Sequence, residues 1–200
     1  MYRVYGDHGS GNCYKVEMLL ERLGLPYEWI DVDILAGETQ TEAFLERNPN
    51  GKIPVLECAD GACLTESNAI LNYLAHGTPY LPDDPWERAR VLQWQFFEQY
   101  SHEPYIAVAR FIALYLGLPE DRRKQYEAKQ EGGRRALGIM EGQLRESPFI
   151  AGDTLTIADL SLYAYTHVAE EGGFELADFP AVSSWLDRVA ATDGHVPMRR

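Results

Sequence analysis

The chain has 200 residues, enough for one or two domains with a core able to fold independently. Lys and Arg number 18 against 31 Asp and Glu, a formal net charge of -13, which argues against nucleic acid and anionic membranes as partners. An acidic surface still leaves room for a local basic pocket that takes a small anion.

Tyr2 to Tyr5 alternates in the manner of a short strand. No charged-then-apolar leader precedes it, so the expected location is the cytoplasm. Gly6 to Asn12 is a loop rich in turn formers. Val16, Leu19, Leu20 and Leu23 recur at helical spacing, and Gly24 is placed to cap that helix. Tyr27 to Val32 reads as a second strand, residues 35–40 as loop, and Thr41 to Arg47 as a short helix. Asn48-Pro49-Asn50-Gly51 is a turn. Ile53-Pro54-Val55-Leu56 is a short apolar strand, and Asp60-Gly61 is a hairpin signal. Thr65 to Asn68 then leads into a helical pattern that ends near His76.

Residues 78–85 follow as a proline-rich linker without helical periodicity. Beyond it the pattern is all-helical. Trp86 to Leu116 is one long pattern in which Pro104 predicts a kink, because it has no N–H for the Tyr100 carbonyl. Its apolar part, Tyr105 to Leu118, is interrupted by Arg110 and too short to span a bilayer. Asp121 to Arg145 is a charged amphipathic helix weakened in its middle by Gly132-Gly133. Thr156 and Asp159 are spaced as a capping box, and Pro180 starts a last helix. The expected division is 1–77, an 78–85 linker, and 86–200.

Three cysteines, at 13, 58 and 63, are too few for a disulfide scaffold. A two-residue loop at Asp60-Gly61 would set Cys58 opposite Cys63, with two free thiols expected in a reducing compartment. The five histidines are scattered, with no metal-ligand spacing, so no metal is expected.

The stretch 48–70 carries the chemistry. Proline inside a strand pattern belongs at an edge or a strand's first residue. A cis bond at Ile53-Pro54 would turn the backbone N–H and C=O of Ile53 outward, ready to pair with an extended peptide. About ten residues on, Glu66-Ser67 opens a helix whose free amides, with the Ser67 hydroxyl, would hold a carboxylate. NPNGKIPVL (48–56), LTESNAI (64–70) and the 156–159 capping segment together resemble the soluble glutathione S-transferase family, and the resemblance covers nearly the whole chain. It implies an α/β thioredoxin-like domain, ordered βαβαββα, followed by an all-α domain.

The resemblance also implies a function: an enzyme that conjugates the glutathione thiolate to small electrophiles, with glutathione as co-substrate. The family's role is detoxification and its subunits form homodimers. A free thiol has a pKa of about 8.5, and lowering it by about two units takes roughly 2.7 kcal/mol. One hydrogen bond to the anion supplies about 1.5–3 kcal/mol and a helix N-terminus about 0.3–1. A single hydroxyl beside the first helix therefore suffices.

Ser10 lies where serine-type relatives place that hydroxyl, and Asn12 matches a bacterial Ser/Thr-x-Asn arrangement. Cys13 is the rival of the cysteine-type members, but it falls three residues late. Tyr5 is a weaker rival, near the end of the first strand. Lys52 would pair with the glycyl carboxylate of glutathione, Ile53 and Pro54 would offer the peptide edge, and Glu66 and Ser67 would take the γ-glutamyl end. Thr39 stands where relatives often have Gln or His, a departure at the second glycyl contact. Tyr105 and Arg110 are the candidates for the electrophile pocket. Alternatives of other classes are a glutathione-dependent disulfide or peroxide reductase and a non-catalytic glutathione-binding protein.

Overall fold

The alternation at the N-terminus becomes strand β1 (Tyr2–Gly6) in a computed structural model that describes residues 1–199. β1 is an inner strand of a four-stranded sheet ordered β2-β1-β3-β4. It runs parallel to β2 (Tyr27–Asp31) and antiparallel to β3 (Val55–Glu57), and β3 is antiparallel to β4 (Cys63–Thr65). Inner strands have a neighbour on both edges, and Val4 of β1 and Val55 and Leu56 of β3 are fully buried.

Helix α1 (Gly11–Leu23) follows β1, and its apolar stripe, Val16, Leu19 and Leu20, has no exposure. Each such side chain contributes about 1.5–3 kcal/mol of burial. α1 packs against α3 (Ser67–Leu74), whose Ile70 and Leu71 are also fully buried. The short α2 (Glu42–Leu45) is capped by Thr41, whose hydroxyl accepts from Phe44 N–H. The observed order is βαβαββα, the expected thioredoxin-like arrangement.

The hairpin differs from its expected form. Cys58 N–H donates to Ala62 O (2.8 Å) and Gly61 N–H to Cys58 O (2.9 Å), so the turn is wider than two residues. The register pairs Cys63 with Glu57, not with Cys58. Both thiols are free.

The chain divides into two units, residues 1–76 with 193–200, and residues 77–192. The expected second domain thus gives up its tail. Tyr14 OH donates to Val196 O (2.6 Å), and Arg22 Nη1 to Gly194 O (3.5 Å), which ties that tail to α1.

In the second unit, residues 77–84 lead into α4 (Pro85–Phe97), capped by Asp84. The expected kink at Pro104 takes the form of a π-helical stretch, Glu98–His102, after which α5 (Glu103–Arg110) restarts with Pro104 in its first turn. A second π-helical stretch, Phe111–Tyr115, closes this run. α6 (Arg123–Glu146), α7 (Ile157–Thr166) and α8 (Pro180–Ala190) complete the unit. Among the described residues no helix is long and apolar enough to cross a membrane.

Gly132-Gly133 does not interrupt α6. A Cβ at Gly132 would run into the Tyr105 ring, and one at Gly133 into the Phe174 ring. The glycines are there for close approach. Gly133→Ala should therefore destabilise by about 1–3 kcal/mol, because Phe174 is fully buried and has nowhere to move. In an exposed helix the same change gains about 1 kcal/mol. Urea unfolding checks the sign, and a gain would refute the packing argument.

Candidate active site

The loop between β1 and α1 is ordered by Asp7. Its carboxylate accepts from Gly9 N–H (2.8 Å) and its carbonyl from Ser10 N–H (3.0 Å). Ser10 is the N-cap of α1 in extended conformation, and its carbonyl accepts the first helical bond, from Tyr14 N–H (2.9 Å). Its side chain makes no capping hydrogen bond. The ordinary structural use of a serine at this position is therefore absent.

Asn12 and Ser67 meet. Ser67 Oγ donates to Asn12 Oδ1 at 3.2 Å, joining the start of α1 to the start of α3. Ser67 is buried, and Glu66 before it is exposed. Glu66 adopts φ 65, ψ 109, a positive φ uncommon for a residue with a side chain. Its carbonyl accepts the first bond of α3, from Ile70 N–H (3.0 Å), so the Ser67 amide precedes the helical ladder. Such local strain clusters at ligand clamps.

Lys15 was not singled out by the sequence, where a lysine on an amphipathic helix reads as solvated. It is fully buried, and its Nζ donates to Asn12 Oδ1 (2.8 Å) and Ser67 Oγ (3.4 Å). Only the tertiary fold brings 12, 15 and 67 together.

The Ile53–Pro54 bond is cis, as expected. Among the described residues, no backbone hydrogen bond of the loop involves the N–H or C=O of Ile53. Its side chain packs on the cluster of Val32, Phe44 and Val55. Lys52 is exposed, while its carbonyl accepts from Asn48 Nδ2 (2.6 Å). Thr39 is buried, with 7% exposure, and accepts from Gln40 Nε2 at 3.2 Å. Gln40 Nε2 also reaches Gly51 O (3.4 Å), so the amide over the Gly51-Lys52 turn is Gln40, one residue from the expected place. That offset of one was the missed signal.

The rivals of Ser10 are engaged elsewhere. Cys13 is fully buried in the space that Gly6 leaves, where a Cβ would sit 2.8 Å from its sulfur. Burial pushes its thiol up to about 12, even though the Ser10 hydroxyl and the Asp7 backbone reach the sulfur and pull the other way. A thiol so placed is not a nucleophile near neutral pH. Tyr5 OH donates to Glu57 Oε2 (2.8 Å) and its ring lies under Arg47. Burial and that carboxylate push the phenol above its ordinary range.

Of the two electrophile-side candidates, Arg110 is 2% exposed and its Nε donates to Glu171 Oε2 at 2.6 Å. It is held inside the helical unit. The Tyr105 ring carries the Lys129 ammonium 5.4 Å from its centre. It borders a hollow of about 480 Å³ with Tyr100, Arg135 and Ile139.

The sheet order β2-β1-β3-β4 and the βαβαββα succession define a thioredoxin-like domain. The family model for the glutathione S-transferase N-terminal domain matches residues 1–76, and that for the C-terminal domain matches residues 95–193. A crystal structure of a glutathione S-transferase from Pseudomonas fluorescens superposes with a TM-score of 0.97 and 62% identity, covering 98% of each chain. Glutathione S-transferase F14 of Arabidopsis thaliana is 35% identical, over 93% of this chain and 76% of its own. Disulfide-bond oxidoreductase YfcG of Escherichia coli is 31% identical, over 89% of this chain and 85% of its own. The chain belongs to the glutathione S-transferase family.

Proposed function

We propose that this protein conjugates the thiolate of glutathione to a small electrophile. The observation that carries the reading is the Ser67–Asn12 hydrogen bond, which sets the helix start expected to hold the γ-glutamyl group beside the loop expected to activate the thiol. Ile53 pairs with the cysteinyl backbone, Lys52 and Gln40 face the glycyl carboxylate, and Glu66 takes the γ-glutamyl ammonium. Ser10 and Asn12 donate to the sulfur, and the thiol proton leaves to solvent. Calorimetric titration with glutathione tests the reading. Saturable binding is expected, and no heat at millimolar ligand would sink it in favour of a non-catalytic member.

The likeness to a disulfide-bond oxidoreductase supports a second reading, in which the glutathione thiolate attacks a disulfide sulfur instead. Parallel assays with a chlorodinitroaromatic and with a mixed disulfide of glutathione decide between them. In either chemistry Cys13→Ala should leave kcat/KM nearly unchanged, because the buried thiol does not ionise in the working range. An inactive Cys13→Ala, with a mixed disulfide seen by intact mass, would reverse that assignment.

We also propose a homodimer in the cytoplasm. The helical unit exposes Phe96 (69%), Tyr100 (86%) and Ile139 (44%), apolar side chains that a partner subunit would cover. Sedimentation is expected to give twice the chain mass of 22.6 kDa, and a clean 22.6 kDa species at micromolar concentration would refute the dimer.

A further inference from the structure

His8 stands two residues before Ser10, and the chemistry proposed so far gives it no role. Its ring stacks on the Trp29 indole, with centroids 4.2 Å apart and planes 10° from parallel. In that pose its two ring nitrogens face two carboxylates. Nδ1 lies 3.8 Å from Glu17 Oε2 of α1, and Nε2 lies 3.8 Å from Asp31 Oδ1 of β2. Trp29 Nε1 donates to that same Asp31 oxygen (3.0 Å), which fixes it beside the ring.

Glu17 is the buried half of this bracket. Its side chain is 1% exposed, and among the described residues neither carboxylate oxygen has a hydrogen-bond partner. A buried carboxylate in that state calls for an explanation. His8 Nδ1, which faces it, is buried and not hydrogen-bonded either. Arg199 Nε, from the tail, stands 3.4 Å from the other oxygen of Glu17. Burial raises the pKa of the Glu17 carboxyl, and the charges of Arg199 and His8 oppose that rise.

A neutral imidazole has one N–H and one lone pair. In either tautomer the lone pair would face a carboxylate oxygen, and one side of the bracket would repel. The imidazolium alone presents a donor to both sides. The other titratable or charged groups around the bracket are Asp7 of the same loop, Cys13 and Glu21 of α1, Tyr27 of β2 and Arg199. Tyr27 OH donates to Glu21 Oε1 (2.7 Å), and the one cation among these groups is Arg199.

We propose that His8 is a positioning residue for Ser10: as an imidazolium bridging Glu17 and Asp31 it fastens the β1–α1 loop to α1 and β2, and on losing its proton it lets that loop loosen. This rests on the reading that Ser10 activates the thiol of glutathione. His8 acts through the loop and not on the sulfur.

The test compares wild type, His8→Phe and His8→Arg across about pH 6 to 9, a range over which histidines lose their proton. Phe keeps a ring against Trp29 and removes the charge. Arg keeps a charge that is not lost, on a planar group that also stacks. At the acid end wild-type kcat/KM should match His8→Arg and exceed His8→Phe by about tenfold, the cost of a slightly misplaced activating group. At the alkaline end it should fall to the level of His8→Phe. A merely structural role would give ratios that do not change with pH. Binding of S-methylglutathione, which has no thiol to activate, should be the same in all three proteins. In a Ser10→Ala background His8→Phe should cost little further, since the hydroxyl it positions is gone.

Hydrogen exchange of the Ser10 amide, which donates to Asp7 O, reads the loop without any substrate. It should be about tenfold faster in His8→Phe than in His8→Arg at one pH. Activity ratios constant with pH, equal exchange rates in the two variants, or an additive loss in the double variant overturns the proposal. Wild-type protein that binds no glutathione overturns the underlying reading instead, and the exchange comparison then still decides whether His8 holds the loop.

Discussion

Replacing Ser10 by Ala is expected to lower kcat/KM near neutral pH by about 10- to 100-fold, the cost of one hydrogen bond to an anion, about 1.5–3 kcal/mol. The side chain caps nothing in α1 and its contact with the buried Cys13 sulfur is a weak one, so thermal stability should fall only slightly. The pH dependence has a definite sign. Ser10 favours the anion and so depresses the pKa of the bound thiol. Without it the pKa rises toward the free value of about 8.5, and the activity profile moves to higher pH. The deficit should be full at neutral pH and shrink above about pH 9, where the thiol ionises unaided. Asn12→Ala should show a smaller loss of the same form, and equal losses would mean that the two donors act as one unit. A flat deficit across pH, or a Ser10→Ala enzyme as active as wild type, would refute the assignment.

How much of this was legible in the sequence depends on the range of the interaction involved. Pro54, the Asn48–Gly51 turn, the Glu66-Ser67 helix start and the Thr156–Asp159 box are local signals, each set by residues within a few positions, and each appears where it was read. Register is less local. One extra residue in the turn moved Cys63 from Cys58 to Glu57. Offsets of one also separate Thr39, which points inward, from Gln40, which reaches the Gly51 carbonyl.

Interactions between distant segments were not legible at all. The burial of Lys15 depends on Ser67, 52 residues away, and Arg110 is held by Glu171, 61 residues away. The same holds for Gly133, whose meaning lies in the Phe174 ring rather than in its own helix. The tail at 193–199 carries no periodic signal, yet the Tyr14 hydroxyl ties it to α1.

The second large effect belongs to Asp159, and it is one of stability. Its carboxylate is fully buried and accepts four hydrogen bonds. Oδ1 takes Ile150 N–H (2.8 Å) and Trp185 Nε1 (2.9 Å), while Oδ2 takes Thr156 N–H (2.9 Å) and the Thr156 hydroxyl (3.1 Å). One side chain thus closes the capping box of α7 and ties in the loop before it and α8 behind it. Burial raises the pKa of this carboxyl, and the four donors oppose that rise. Asp159→Ala leaves buried N–H donors at Ile150, Thr156 and Trp185 without their acceptor, each costing about 1–3 kcal/mol before relaxation. A net loss of about 3–5 kcal/mol is expected, a fall in Tm of roughly 6–20 °C for a chain of this size. Asp159→Asn keeps the shape and the Oδ1 contacts but sets an amide N–H against the Thr156 N–H, so it should fall between the two. Urea titrations of the three proteins check the order. A folded Asp159→Ala within 1 kcal/mol of wild type would mean that water replaces the carboxylate, and that the capping network contributes little to holding α7 in place.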